Sequence, residues 1–271
     1  MKYIVASCLL SLTIPAAAHH GRDFLMVQDY SVPAPFTGIV YSNFELASHD
    51  GPDEWSIEPG IMTGLGAGFA FGAAARFSDE GEGWEYASVS PQIQYQLTPQ
   101  TSAIPVKFAL VAGYQFARGS NEEEAHTDPV FCGPEYGPDA PPCDAVVPHE
   151  HGHSHSHTGI HQHSTDAFFA RLVMEMDLTP SDKIVANLIH VTPDGASAAW
   201  GYAIGLRHSF SHAFAIGMEA VGDFNTHGYQ EAALACYLSP SHHFTVKLGA
   251  GLGLSEASPD YTIHTGVVWR F

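Results

Sequence analysis

Positive charge is scarce in this sequence of 271 residues, which has 10 Lys and Arg against 29 Asp and Glu. With the histidines neutral the formal net charge is −19, so nucleic acid and anionic membrane surfaces are poor partners and cations are natural ones. Long apolar runs are equally scarce. The run from Tyr3 to Ile14 is shorter than the ~20 residues of a spanning helix, which argues against a helical membrane protein although 45% of the residues are hydrophobic.

The N-terminus has the features of a secretory signal. Lys2 supplies the positive charge, Tyr3–Ile14 the apolar core, and Pro15-Ala-Ala-Ala18 an A-x-A cleavage site. We therefore predict that residues 1–18 are a signal peptide cleaved after Ala18. Residues 19–35 have no sustained period, and we predict that they form a periplasmic lead-in.

Cysteine is also rare, with 4 residues. Cys8 leaves with the signal peptide. Cys132 and Cys143 share one loop at a suitable spacing, so in an oxidising compartment we predict that they form a disulfide. We expect Cys236 to be a buried or lipid-facing thiol on a strand.

What the sequence has in abundance is alternation of apolar with polar or small residues, in segments of about ten residues, the length of a tilted membrane strand. Tyr86–Leu97 is the clearest case, and a last segment ends at Phe271, as in the closing strands of bacterial outer-membrane barrels. Residues 36–271 therefore predict an all-β fold, a closed antiparallel transmembrane β-barrel of about 12 strands, rather than a soluble β-sandwich. The other predicted strands are Phe36–Ala47, Glu54–Met62, Gly68–Phe77, Val106–Ala117, Asp166–Leu178, Lys183–Val191, Ala198–Phe210, Ala213–Phe224, Tyr229–Leu238 and Phe244–Leu254.

The connections between the predicted strands support this interpretation. Every second connection is short, as periplasmic turns are in such barrels. The one long connection, residues 118–165, follows the fifth strand and so lies on the extracellular side. An even number of strands returns the C-terminus to the periplasm. We therefore expect the protein in the outer membrane of a Gram-negative bacterium, surrounded by its lipid and inserted by the barrel-assembly machinery through the last strand.

The extracellular loop is acidic and rich in histidine. Neutral imidazole is a leading ligand for Zn, Cu and Ni, and the alternating H-x-H pattern places several imidazoles within reach in a flexible chain. The loop therefore predicts binding of divalent transition-metal cations, although a solvated low-complexity loop without such a role has the same composition. No other cofactor is required. The predicted metal ligands are His126, His149, His151, His153, His155, His157, His161 and His163.

If the apolar parity faces lipid, the polar parity lines the lumen. Charges of both signs inside a barrel usually pair, because unpaired charges away from water are costly. The set is compatible with a narrow hydrated pore and also with a salt-bridged plug, and the many Gly and Ala residues among it favour the pore. The predicted lumen-lining residues are Glu58, Arg76, Lys107, Arg171, Glu175, Arg207, Glu219, Lys247, His264 and Arg270, with Gln92, Gln94, Asp177, Asp223 and Glu231 on the same parity.

Signals for catalysis are weak. No G-x-S-x-G nucleophile elbow occurs. His149-Glu-His-Gly-His153 matches H-E-x-x-H, but that motif requires a helix, and here it lies in a Gly/Ser/His repeat where chance matches are easy. We predict that the chain is not an enzyme, with an outer-membrane lipid-modifying enzyme as the remaining catalytic alternative.

Three segments resemble one family of barrels. Gly251–Phe271, with its Ser258-Pro-Asp260 turn and terminal arginine-aromatic pair, is similar to the ends of phenol-degradation-pathway (MetA-type) outer-membrane transporters. Gly21–Asp29 and Trp200–His208 resemble uncharacterised proteobacterial barrels of that kind. The resemblance implies a barrel in the outer membrane and transport of small solutes. The expected function is therefore a channel for small solutes with a metal-binding loop, and the alternative is a metal-binding surface protein that uses the barrel as an anchor without a pore.

Overall fold

The computed structural model describes residues 23–49, 52–79, 81, 83–99, 101–102, 104–118, 165–225 and 227–271. The predicted signal peptide, the predicted Cys132–Cys143 disulfide and the predicted histidine ligands lie outside these residues. The strands are β1 Gly38–Ser48, β2 Glu54–Gly66, β3 Phe69–Asp79, β4 Glu85–Gln96, β5 Val106–Ala117, β6 Ala167–Asp177, β7 Asp182–Pro193, β8 Ala199–Ser209, β9 Phe214–Asp223, β10 Gln230–Ser241, β11 Phe244–Gly253 and β12 Tyr261–Arg270.

These strands form one closed barrel. Each strand pairs antiparallel with its sequence neighbours, and β1 pairs with β12 to close the sheet, with Asn43 opposite Gly266. The predicted closed antiparallel barrel of 12 strands is confirmed. β5 has the predicted bounds, whereas β2 continues four residues beyond the predicted end at Met62, because the apolar alternation fades there while the ladder with β3 continues.

The barrel exterior is apolar. The outward parity of every strand carries large hydrophobic side chains, such as Ile61 on β2 and Leu234 on β10, which is 65% exposed. Cys236 lies on the same outward parity of β10 as Leu234 and is half-buried. An exterior of this kind needs a hydrocarbon environment, since exposed apolar surface of this extent is unfavourable in water.

The connections differ at the two ends of the barrel. β2 and β3 are joined by Ala67 and Gly68, and the turn Gly66-Ala67-Gly68 has φ values of 90°, 50° and 81°. Glycine adopts this left-handed region without a steric penalty, which explains its use on both sides of Ala67. This end has the short turns and is the periplasmic end by the rule for such barrels. β5 ends and β6 begins at the opposite, extracellular end.

The predicted periplasmic lead-in, residues 19–35, is corrected for its described part: residues 23–33 do not lie outside the barrel. Phe24, Gln28, Asp29 and Tyr30 are at most 1% exposed, because residues 23–33 lie inside the barrel and occupy its periplasmic half. We call residues 23–34 the plug. The prediction failed because the segment has no period-2 pattern of its own, and its burial depends on side chains from strands far away in sequence.

A charge on the lipid-facing surface tests the position of the membrane. Leu234 lies opposite Met218 near the middle of β9, so Leu234→Arg places a cation close to the bilayer midplane and should cost about 2–4 kcal/mol of unfolding free energy in lipid. Leu254 lies just beyond β11 at the extracellular rim, and Leu254→Arg is the matched control with an expected cost of about 0–1 kcal/mol. Urea unfolding in lipid vesicles measures both values. Equal costs would contradict this placement of the apolar belt.

Candidate functional site in the barrel interior

The plug follows a looped path through the lumen. Two contacts join it to the barrel at the periplasmic end. Pro35, the residue that follows the plug, pairs with Gly64 of β2, and the Tyr30 hydroxyl donates to the carbonyl oxygen of Thr98 in a periplasmic turn. Followed from there toward the N-terminus, the plug extends up to Leu25–Val27, which contact the middle of β9. It then turns back to the periplasmic end at Asp23. Gly64 allows the close approach, because a Cβ atom there would overlap the carbonyl oxygens of Pro33 and Ala34.

A single carboxylate binds the top of the plug. Glu219 of β9 accepts hydrogen bonds from three consecutive backbone N–H groups, those of Leu25 at 2.8 Å, Met26 at 2.7 Å and Val27 at 3.1 Å. The Tyr237 hydroxyl of β10 donates to the same carboxylate. Hydrogen bonds to a charged acceptor are stronger than neutral ones, so Glu219 is the principal anchor of the plug at mid-height.

Side-chain amides bind the descending part of the plug. Asn187 of β7 accepts from the Gln28 backbone N–H at 3.0 Å and donates to the Gln28 carbonyl at 2.8 Å, which imitates one rung of a β-ladder. Gln94 of β4 donates to the carbonyl oxygens of Asp29 at 3.1 Å and Tyr30 at 2.9 Å. The wall thereby satisfies backbone groups that are buried without a strand partner.

Opposite charges fix the first described residue of the plug. The Asp23 carboxylate lies 3.1 Å from Arg270, 3.3 Å from Arg207 and 3.9 Å from Lys183. Lys183 also pairs with Glu175 at 3.1 Å. We expected the lumen charges to pair with one another across the interior. Arg270, Arg207 and Lys183 instead surround one carboxylate, that of Asp23 in the plug.

Apolar contacts complete the docking of the plug. Phe24, Val27 and Tyr30 belong to a buried cluster with strand residues that include Val111 and Val185. Gly205 of β8 makes room for this packing, since a Cβ atom there would lie 2.6 Å from Cδ1 of Phe24. Burial, followed by the charges of Asp23 and Glu175, raises the pKa of the Asp29 carboxyl in the plug to about 7.

Above the plug lies a cavity of about 220 Å³, which we call the vestibule. Its floor is the top of the plug, and its walls combine charged, polar and apolar side chains from most of the strands. The vestibule is lined by Leu25, Met26, Gln28, Asn43, Phe44, Glu45, Ser56, Glu58, Ala74, Arg76, Ser90, Gln92, Gln115, Ala167, Phe169, Arg171, Ile189, Val191, Val221, Tyr229, Glu231, His264 and Thr265.

One carboxylate of the vestibule is fully occupied by the wall itself. Glu231 of β10 accepts from Nε2 of His264 at 2.7 Å and from the hydroxyl groups of Tyr229 and Thr262. Nδ1 of His264 lies 3.7 Å from Glu45 of β1. This network joins β1, β10 and β12 across the closure of the barrel.

The structure places the ten predicted lumen residues on the inward parity and divides them into two groups. Glu58, Arg76, Arg171 and His264 line the vestibule. The other six surround or contact the plug: Lys107, whose Nζ lies 5.8 Å from the Tyr30 ring centroid, and Glu175, Arg207, Glu219, Lys247 and Arg270.

Sequence reasoning missed several interior residues. Asp23 and Lys183 are central to the charge cluster, and Asn187 and Tyr237 bind the plug directly or through Glu219. Asn187 and Lys183 lie on the inward parity of β7, so the alternation itself was a signal for these two. No comparable signal marks Asp23, which precedes the first strand.

Potential metal-ligating and catalytic side chains occur in the part of the chain that the structure describes. There, no three His, Cys, Asp or Glu side chains come together in a way that could hold a metal ion, and no helix is long and apolar enough to cross a membrane. Thr192 lies 3.0 Å from Nε2 of His190 on the outward parity of β7. Among the described residues, Nδ1 of that imidazole is buried without a hydrogen-bond partner, so none of them supplies it with the carboxylate that orients the histidine of a catalytic triad.

Comparison with known proteins extends the description of the fold. No protein-family model and no curated protein matches this sequence. Solved structures do match. The chain has an outer-membrane β-barrel fold. The KdgM porin in complex with disordered oligogalacturonate is similar with a TM-score of 0.56 and 8% identity, over 86% of this chain and 99% of that one. An outer-membrane channel from Pseudomonas putida F1 is similar with a TM-score of 0.55 and 9% identity, over 90% and 98%.

Removing the principal anchor tests the docking of the plug. Glu219→Ala leaves three backbone N–H groups and the Tyr237 hydroxyl without their acceptor, at roughly 1–3 kcal/mol for each buried unsatisfied group. Residues 24–28 should therefore exchange their amide hydrogens at least tenfold faster, as measured by hydrogen–deuterium exchange and mass spectrometry.

Glu58→Ala is the matched control for that experiment, because it removes an inward carboxylate that makes no hydrogen bond with the plug. Its exchange in residues 24–28 should equal that of the wild type. Unchanged protection in Glu219→Ala would show that the remaining contacts hold the plug without this carboxylate.

Proposed function

We propose that this protein is an outer-membrane channel for small solutes, constricted by the plug on its periplasmic side. The observation that carries the proposal is the vestibule, a polar cavity inside a closed barrel whose floor is plug rather than strand. Side chains of both signs line it, which suits hydrated solutes better than apolar ones. The barrels with similar folds include proteins named as a porin and as a channel, which supports the same function class for this chain.

We also infer that the chain is related to the MetA-type outer-membrane transporters. The support is the similarity of Gly251–Phe271, Gly21–Asp29 and Trp200–His208 to barrels of that kind. Gly21–Asp29 overlaps the plug, and Trp200–His208 includes Gly205 and Arg207, which contact it. Gly251–Phe271 includes Arg270, which pairs with Asp23, so all three similar segments contribute residues to the plug or to its contacts.

The loop of residues 118–165 is proposed to capture divalent transition metals, with Zn, Cu or Ni bound by its histidines. Its composition and the net charge of −19 support this role. The second candidate function is a metal-binding surface protein whose barrel is only an anchor. The observation that favours this second candidate is the number of hydrogen bonds and ion pairs that hold the plug in place. Conductance separates the two functions.

Deleting the plug tests the channel. In planar bilayers the full-length protein should give a small steady conductance, and deletion of residues 23–34 should raise it several-fold because the constriction is removed. Glu256→Gln, in the exposed β11–β12 connection, is the control and should conduct as the wild type does. A folded barrel that carries no current with or without the plug would favour the anchor function.

The metal-binding role has its own test. Replacing the eight predicted histidine ligands by glutamine keeps the length of the loop and removes its imidazoles. Calorimetric titration should show micromolar Zn²⁺ binding to the wild type and a loss of at least tenfold in affinity in the variant. In bilayers, Zn²⁺ should reduce the wild-type current and leave the variant unaffected. Equal binding by both proteins would disprove the assignment of these ligands.

A further inference from the structure

The two walls of the vestibule differ in chemistry. β2 to β4 supply hydrophilic side chains, namely Ser56, Glu58, Arg76, Ser90 and Gln92. β6, β7 and β9 supply Phe169, Ile189, Val191 and Val221, and the floor adds Leu25 and Met26. Ligand sites combine apolar surface with polar groups that fix orientation, and the vestibule offers both on separate walls.

Most charged groups around the vestibule already have partners. Arg76 pairs with Glu54 at 3.3 Å, and Glu231 is occupied by Tyr229, Thr262 and His264. The Glu58 carboxylate makes no hydrogen bond and no close ion pair in the described part of the chain, and the nearest opposite charge that acts on it is that of Arg76 on the neighbouring strand. The amide of Gln92, two strands away, likewise makes no side-chain hydrogen bond there.

The distribution of charge favours a cationic ligand group near Glu58. Glu45 and Glu54 lie on the same side of the barrel, so among the described residues three carboxylates of this wall share the guanidinium of Arg76, with the His264 imidazole beside Glu45. Arg171 stands on the opposite wall, with its guanidinium carbon 5.9 Å from the Phe169 ring centroid. Attraction by the Glu58 carboxylate acts on an ammonium group at this wall, and it is stronger beside low-dielectric protein than in open solution.

The size of the vestibule limits the rest of the ligand. Its 220 Å³ is below the range of about 300–1,000 Å³ that is typical of small-molecule pockets. The ligand therefore consists of little more than one charged group and one apolar group. Phe169 and the aliphatic side chains opposite Glu58 provide the surface against which an apolar group loses its contact with water.

We propose that the vestibule binds small organic amines, with the ammonium group on Glu58 and the apolar body against Phe169 and its aliphatic neighbours. This inference rests on the proposed channel function and names the class of solute that the channel selects. The plug below holds the solute at this level, so binding precedes passage toward the periplasm.

Equilibrium binding of phenethylamine tests the proposal. The intact protein in detergent micelles should bind phenethylamine, and Glu58→Gln should weaken the affinity at least tenfold because the anchoring charge is lost. 2-Phenylethanol has the same body without the charge and should bind the wild type at least tenfold more weakly than the amine. Phe169→Leu should weaken the amine about threefold, and the control Glu256→Gln should leave its affinity unchanged.

Several outcomes would overturn this assignment. The first is no binding of phenethylamine by the wild type, and the second is equal affinity in Glu58→Gln. Equal binding of ammonium chloride would show a simple cation site and reject the role of the apolar wall. A bilayer measurement separates the two proposals: steady current without amine binding rejects only the solute class, whereas amine binding by a barrel that carries no current rejects only the channel.

Discussion

The interior of this barrel depends on one constraint: a buried backbone without a strand partner needs hydrogen bonds from elsewhere. The plug runs through the lumen in an irregular conformation, so its N–H and C=O groups have no ladder. Glu219, Asn187 and Gln94 supply the missing partners from three separate strands. A lumen with apolar side chains at these positions would leave the plug's peptide groups unsatisfied.

This constraint changes the interpretation of the polar lumen. Polar residues inside a barrel suggest a water-filled pore, and here six of the predicted lumen residues surround or contact the plug. Asp23 concentrates three cations at the periplasmic end. The periplasmic half of the barrel thus has a packed and charge-paired interior, whereas the extracellular half retains an open cavity.

The carboxylates of the interior illustrate the difference between structural and available charge. Glu219 and Glu231 each accept several hydrogen bonds and hold elements of the fold together. Glu58 faces the vestibule without such partners. All three are glutamates at inward-facing positions of strands. Their roles differ because each side chain meets different groups inside the barrel.

The sequence by itself determined the strands, their inward and outward faces and the ends at which the turns lie. The period of two along a strand is a local property. Val268 of β12 is apolar but stands on the same parity as His264 and Arg270, and it faces inward as they do, where it packs with Ile39 and Met62. Only the tertiary structure decided where residues 23–34 lie and which polar side chains they occupy. Those contacts join residues as far apart as Asp23 and Arg270, and such partners become neighbours only when the sheet closes. The vestibule follows from the same closure, because its walls come from opposite sides of the barrel and its floor from a segment without a local pattern.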